Sequence, residues 1–264
     1  MSDLSDFEIM GLVFVCIFGA ALAGVALRRR LQERHLAGGT KDVVNVTTGV
    51  VASMAALVLG LLVAAMQGTF SAKAADVRAV VINATLLNRS LAAYSADLAG
   101  ERQQLGDFVT TLKQRLWSDD ANADPMAKMD VLRRNLRNLE PQTDPDKILQ
   151  ARFIALSDTL IFTADELVEA GDGSVPVPLL VVVVIWLSAI FLGLGLFAPV
   201  NGTTLAAMAI GAGAVSMAIF LIVEMDGPFS GIVQISQDGI NRALTQIASP
   251  IRNALADMPP QPAH

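Results

Sequence analysis

The fold of this chain is decided by residues 173–223, which read GSVPVPLLVVVVIWLSAIFLGLGLFAPVNGTTLAAMAIGAGAVSMAIFLIV and contain no Asp, Glu, Lys, Arg or His. An α-helix needs about 20 apolar residues to cross a bilayer, so this stretch is long enough for two crossings. Its turn signal, Pro199-Val200-Asn201-Gly202, lies near the middle. The sequence therefore predicts a hairpin of two transmembrane helices, and hence an integral membrane protein.

Two further apolar segments lie near the start of the chain. Residues 9–27 are apolar throughout and follow Asp3, Asp6 and Glu8. A cleavable signal sequence carries positive charge at that position, so this segment is predicted to stay in the membrane. Residues 43–69 carry no charge either. The chain is therefore predicted to cross the membrane four times, as two helical hairpins around a polar insert.

The insert is predicted to be helical, because apolar residues recur through it at helical spacing. No proline occurs between Met66 and Pro125, so the second membrane helix is expected to continue into the insert as one long helix. Asp124 and Asp144 each precede a proline and are predicted N-caps. Three more insert helices are predicted, over residues 101–117, 125–139 and 145–169. The fold class is therefore all-α, with four transmembrane helices as two hairpins and an inserted antiparallel helical bundle outside the membrane.

The predicted organisation follows from these segments. It comprises an N-terminal tail (1–8), transmembrane helix 1 (9–27), a basic cytoplasmic loop (28–42), transmembrane helix 2 (43–69), a polar helical bundle (70–172), transmembrane helix 3 (175–198), a tight turn (199–202), transmembrane helix 4 (203–223) and a C-terminal segment (224–264).

Lys and Arg in short loops predict the orientation in the membrane. Loop 28–42 is rich in them, whereas the N-terminal tail has none. The positive-inside rule therefore places this loop in the cytoplasm. Counting crossings from there makes the bundle, residues 70–172, and both termini extracytoplasmic.

Residues that support enzymatic or metal chemistry are sparse. The chain has two histidines and one cysteine, Cys16, which lies in the first apolar span. No zinc-site spacing, phosphate loop or nucleophile motif occurs. The net charge is −6 and no basic stripe is present, which argues against a nucleic-acid partner. We therefore predict no enzymatic activity and no catalytic, cofactor-binding or metal site.

Polar and small residues within the spans have two interpretations. Asn45, Thr47, Thr48 and Ser53 of the second membrane helix could line a hydrated path. Asn45, Thr48 and Ala52 share one face of this helix and are candidate pore-lining residues. Alternatively, their polar groups bond back to the backbone or to a neighbouring helix. Small residues of the third and fourth spans are predicted to allow close helix contacts and a homo-oligomer in the lipid bilayer; they are Gly193, Gly195, Ala207, Gly211, Gly213 and Ser216.

The exit of the fourth span is the sharpest local motif. It consists of Glu224, Asp226, Pro228, Phe229, Ser230 and Gly231. By residue type it is either an interfacial anchor, with acids in water and proline ending the helix, or a packed junction with Pro228 and Phe229 against the start of the bundle. The order Glu-x-Asp-x-Pro-Phe-Ser-Gly, followed by an apolar pair and a serine, resembles the bestrophin-like membrane family. That prokaryotic family of unknown function is distantly related to bestrophin anion channels.

The resemblance implies a passive ion channel, with anions as the implied class, in a prokaryotic inner (plasma) membrane. It further implies second transmembrane helices around a central axis, and a pentamer. Bestrophins place the insert in the cytosol, the reverse of what the charges predict here, and their neck is aromatic whereas residues 43–66 contain no aromatic side chain. The alternative function is a non-conducting membrane scaffold whose bundle binds a protein partner, of unknown identity, or an envelope component.

Overall fold

The computed structural model describes residues 6–28, 30, 38–94, 97–118, 120–169, 177–199 and 201–256. Within these ranges all regular structure is helical, which confirms the all-α class. The helices are α1 (Asp6–Arg28), α2 (Gly38–Ala92), α3 (Ala99–Trp117), α4 (Pro125–Arg137), α5 (Asp144–Glu169), α6 (Val177–Phe197), α7 (Gly202–Glu224) and α8 (Asp238–Ala256). The chain divides into a membrane unit (Met1–Phe70 and Ser174–Gly227) and a bundle unit (Ser71–Gly173 and Pro228–His264).

The membrane unit contains the apolar helices. Among the described residues, four helical segments are long and apolar enough to cross a bilayer: Phe7–Arg28, Asp42–Ala92, Val177–Phe197 and Gly202–Glu224. Within the unit, α1 packs against both α6 and α7. Their shared core is built from aliphatic and aromatic side chains and includes Ile17, Ala21, Val183, Ala212 and Ile219.

Helices α1 and α6 cross at two glycines. A Cβ atom on Gly195 would collide with the carbonyl oxygen of Ala21, and one on Gly24 would collide with that of Leu192. Glycine is therefore required on both helices, because their backbones are in direct contact. The close-packing role predicted for Gly195 is thus observed, whereas its counterpart Gly24 was not singled out in the sequence.

The turn between α6 and α7 is held at both ends. The Asn201 side chain accepts a hydrogen bond from the Thr204 amide at 2.8 Å and caps α7. At the other end, the Arg28 guanidinium donates to the Ala198 carbonyl. The end of α1 and the α6–α7 turn therefore lie at the same end of the membrane unit.

In the bundle unit, α3 packs against α4, α5 and α8. The largest fully buried side chains include Leu87 of α2, Phe108 of α3, Leu132 of α4 and Phe153 of α5. Helix α2 is continuous from Gly38 to Ala92, as expected of one long helix. The unit also includes α8, whose Ile240, Ala243 and Ile247 are buried, so the C-terminal segment contributes to the bundle core.

One of the two predicted helix caps is wrong. Asp124 accepts a hydrogen bond from the Ala127 amide at 2.9 Å and caps α4, with Pro125 at the first helical position, as predicted. The cap of α5, however, is Thr143 rather than Asp144. The Thr143 hydroxyl accepts from the Asp146 amide at 3.3 Å and donates to the Asp146 carboxylate at 2.8 Å. The Thr143 hydroxyl therefore caps the helix one residue upstream of the predicted cap.

Candidate functional site

Helix α2 is the least covered helix of the membrane unit. In its most apolar 18-residue window 17% of the residues are buried, against 33% in the windows of α1, α6 and α7. The buried residues of this helix in the membrane unit, Ala55, Leu62 and Met66, form one narrow side that packs into the core. Most of the surface of α2 in this unit is therefore not covered by the protomer.

The structure does not bring the three predicted pore-lining residues together on an open face. Asn45 is exposed, whereas Thr48 is half-buried. The Thr48 hydroxyl would lie 3.4 Å from a Cβ atom on Gly193, so this residue faces α6 of its own protomer. Ala52 is partly buried against the membrane core. The structure therefore turns Thr48 and Ala52 inward and leaves Asn45 on the uncovered side.

The uncovered side of α2 carries further small and polar residues, of which only Ser53 was noted in the sequence. They are Gly49, Ser53, Gly60 and Gln67, all exposed. A Cβ atom on Gly49 or Gly60 would meet nothing within 4 Å. The seven-residue spacing of Ser53, Gly60 and Gln67 was the available signal, because residues seven apart lie nearly on one line along a helix. With Asn45, these residues form what we term the small-polar face.

A second, apolar strip lies on the same uncovered half of the helix. Its exposed side chains are Val43, Val46, Val50, Met54, Leu57 and Leu61.

Two hydroxyl groups of α2 in the membrane unit form hydrogen bonds within their own helix. Ser53 donates to the Gly49 carbonyl at 3.0 Å and Thr47 donates to the Val43 carbonyl at 2.9 Å. Both hydroxyls therefore follow the alternative raised for the polar residues of this helix, in which they donate to the backbone. Their oxygen atoms can still accept hydrogen bonds from water.

The motif after α7 does not place both of its acids in water. Glu224 is only 3% exposed. Pro228 and Phe229 are buried as well, whereas Ser230 and Gly231 are exposed. Asp226 is half-buried. Gly231 has a φ of 81°, which lies in the left-handed region that favours glycine.

Trp117, at the end of α3, is the partner of this motif within the bundle unit. The Phe229 and Trp117 rings meet edge to face, with centroids 5.0 Å apart and planes inclined at 73°. The Trp117 indole N–H donates to the Ile235 carbonyl at 3.1 Å, and the Ile235 amide donates to the Pro228 carbonyl at 2.8 Å. The packing predicted for Phe229 is observed, but at the end of α3 and not at the start of the bundle.

One titratable group in the bundle unit stands out. Tyr94 is buried against Phe153, with ring centroids 5.7 Å apart. Burial raises the pKa of its hydroxyl above the ordinary value, and the negative charge of Asp146 adds to the effect. The hydroxyl has no hydrogen-bond partner among the described residues. Within those residues, no group of three or more His, Cys, Asp and Glu side chains could hold a metal ion.

These features define an all-α, multi-pass membrane protein with a helical bundle unit. A family model described as the Bestrophin-like domain matches residues 15–240. The chain therefore belongs to the bestrophin-like family, in agreement with the resemblance of its Glu-x-Asp-x-Pro-Phe-Ser-Gly motif. No curated protein matches the chain.

Proposed function

We propose that this protein is a homo-oligomeric passive ion channel, in which the α2 helices of several copies surround a central axis. The observation that carries the proposal is the uncovered half of α2 in the membrane unit, with its small-polar face. The proposed location is a prokaryotic inner membrane. Because the chain belongs to the bestrophin-like family, we propose anions as the conducted ions and a pentamer as the oligomer.

A ring of copies would remove the unfavourable contact between the small-polar face and the lipid tails. Asn45 and Gln67 carry amide groups, which are unfavourable in contact with lipid tails. Apolar side chains gain no hydrophobic drive to associate in lipid, so contacts between copies must come from packing and polar groups. A heterologous contact closes into a ring when its rotation permits. In that ring the small-polar face and the adjoining Leu57 of the apolar strip would border a hydrated axis, and the rest of the apolar strip would contact neighbours or lipid.

The residue types on α2 support passive conduction. No ionisable side chain lies in the middle of the α2 span, and such residues are typical of proton- or substrate-coupled transporters. Selectivity would arise instead from rings of polar and small residues and from an apolar constriction. Leu57 lies between Ser53 and Gly60 and would supply that constriction, in place of an aromatic neck. We expect no enzymatic activity and no cofactor.

The positive-inside rule supports an orientation with the basic loop in the cytoplasm and the bundle unit outside. The hydrogen bond from Arg28 to the Ala198 carbonyl places the two loops at one end of the membrane unit, so both belong to the same side of the membrane in this proposal. In this orientation both termini are extracytoplasmic.

Cysteine substitution with flux measurement tests the channel. In a Cys16→Ser background reconstituted into liposomes, Ser53→Cys and Gly60→Cys should lose ion flux on treatment with a charged, water-soluble thiol reagent. Ile185→Cys is the matched control, because Ile185 of α6 is an apolar residue that is 59% exposed and lies outside the proposed pore lining. The flux of this variant should not change. An oligomeric protein that conducts no ions, or that is blocked equally at all three positions, would contradict the proposal.

The alternative is a non-conducting scaffold, and one observation favours it. Ile148 and Phe162 of α5 are each 71% exposed in the bundle unit, as expected of a recognition patch. In a scaffold, this patch would bind a different protein. Absence of flux in the oligomer, together with specific capture of such a protein by α5, would support the scaffold.

A further inference from the structure

A groove lies between α2 and α8 within the bundle unit. Its volume is about 330 Å³, and it is lined by Val81, Ile82, Thr85, Leu86, Arg89, Gly239, Arg242, Ala243 and Gln246. We term the aliphatic side chains of this lining the floor of the groove, and the exposed side chains of Arg89 and Arg242, which supply two positive charges, its rim. Ile82 is 57% exposed even though it is a large apolar residue. The groove therefore combines uncovered apolar surface with positive charge.

The shape of this groove suits a helix better than a small molecule. Sites for small molecules bury most of the ligand surface, whereas this groove is shallow and open. Two neighbouring helices with apolar residues between them form the usual receptor for the apolar face of an amphipathic helix. The positive rim requires acidic residues beside the apolar residues of that helix.

Helix α5 carries such a face. Phe162 is 71% exposed, and acidic residues lie one turn before it and one and two turns after it on the same side of the helix. They are Asp158, Asp165, Glu166 and Glu169, all exposed. Asp158 pairs with Arg133 at 3.0 Å, which leaves three carboxylates outside that ion pair. Ile148, also 71% exposed, extends the apolar face towards the start of the helix.

We propose that α5 of one copy docks in the α2–α8 groove of a second copy. Phe162 then lies on the aliphatic floor, and Asp165 and Glu166 face Arg89 and Arg242. The contact joins two different surfaces, so it is heterologous and each copy can donate α5 to one neighbour and accept it from another. It deepens the proposed function, on which it rests for the presence of several copies.

Cross-linking between two differently tagged chains tests the contact. Both chains carry Cys16→Ser; one carries Ile82→Cys and the other Phe162→Cys, so any disulfide between them joins two copies. Mild oxidation of the full-length protein in lipid should give a mixed-tag dimer that reductant dissolves. The matched control replaces Phe162→Cys by Ala127→Cys, an exposed position on α4, and should give only background.

Charge reversal then tests the orientation of the contact. Arg242→Glu in the Ile82→Cys chain should lower the yield about fivefold, because an exposed ion pair is exchanged for a repulsive one. Glu166→Arg in the Phe162→Cys chain should restore it. A yield equal to the Ala127→Cys control, or cross-linking of Ile82→Cys only to other proteins, would overturn the proposal. An oligomeric mass with unaltered ion flux in that case would leave the channel in place, whereas a monomeric, non-conducting protein would overturn both.

Discussion

Replacement of Phe229 by alanine should markedly destabilise the bundle unit. The Phe229 side chain is 7% exposed, and its ring meets Trp117 edge to face. Burial of a Phe side chain stabilises by about 1.5–3 kcal/mol. The aromatic pair adds about 0.5–1.5 kcal/mol. Together these contributions predict a loss of about 2–4.5 kcal/mol in the free energy of unfolding.

The fluorescence of Trp117 reports this unfolding directly. The chain has two tryptophans, so a Trp186→Phe background leaves Trp117 as the single emitter. Denaturant titration in detergent or lipid would then follow the environment of the indole that contacts Phe229. We expect the unfolding midpoint of Phe229→Ala to fall, and its native emission to change because the indole loses its aromatic neighbour.

Ile232→Ala is the matched control in the same loop. Its side chain is 67% exposed, so its truncation should change the free energy of unfolding by less than about 0.5 kcal/mol. If Phe229→Ala and Ile232→Ala show the same midpoint, the junction is not held by the buried Phe–Trp pair. The motif would then be the interfacial anchor that its acidic residues first suggested.

Three further predictions address packing, topology and pH. Gly195→Ala should destabilise the membrane unit by about 1–3 kcal/mol, because the new methyl group overlaps the α1 backbone. In Gly11→Ala the methyl group meets open space, so this control variant should keep its stability. Thermal unfolding in detergent compares the two variants, and equal stability would contradict the backbone contact. With Cys16 replaced, Ala123→Cys should react with an impermeant thiol reagent on intact cells, and protection until permeabilisation would reverse the proposed orientation. Because the folded pKa of Tyr94 is raised, its contribution to stability is full below the unfolded pKa of about 10 and is lost as pH rises through the folded pKa. Tyr94→Phe should reduce that alkaline loss in a pH series of unfolding, and an unchanged slope would exclude Tyr94 as its source.

Local patterns in the sequence determined most of the architecture. The uncharged run 173–223 predicts two crossings, because a charged residue is unfavourable in lipid and a helix rises by a constant length per residue. The apolar spacing through the insert predicted its helices to within a few residues. The motif from Glu224 to Gly231 identified the family. Each of these signals depends on residues close together in the chain, which a sequence displays directly.

Contacts between distant segments were decided only by the tertiary structure. Trp117 and Phe229 are far apart in the sequence, and no local pattern around either residue predicts a contact with the other. The same holds for Gly24 and Gly195, which are recognisable as a pair only when α1 lies on α6. The rotation of α2 about its own axis is the most consequential case. This span is apolar on nearly every side, so its residue pattern does not determine which face turns inward. In the structure Thr48 faces Gly193 of α6, and Ala55, Leu62 and Met66 pack into the membrane core, which leaves Ser53, Gly60 and Gln67 uncovered.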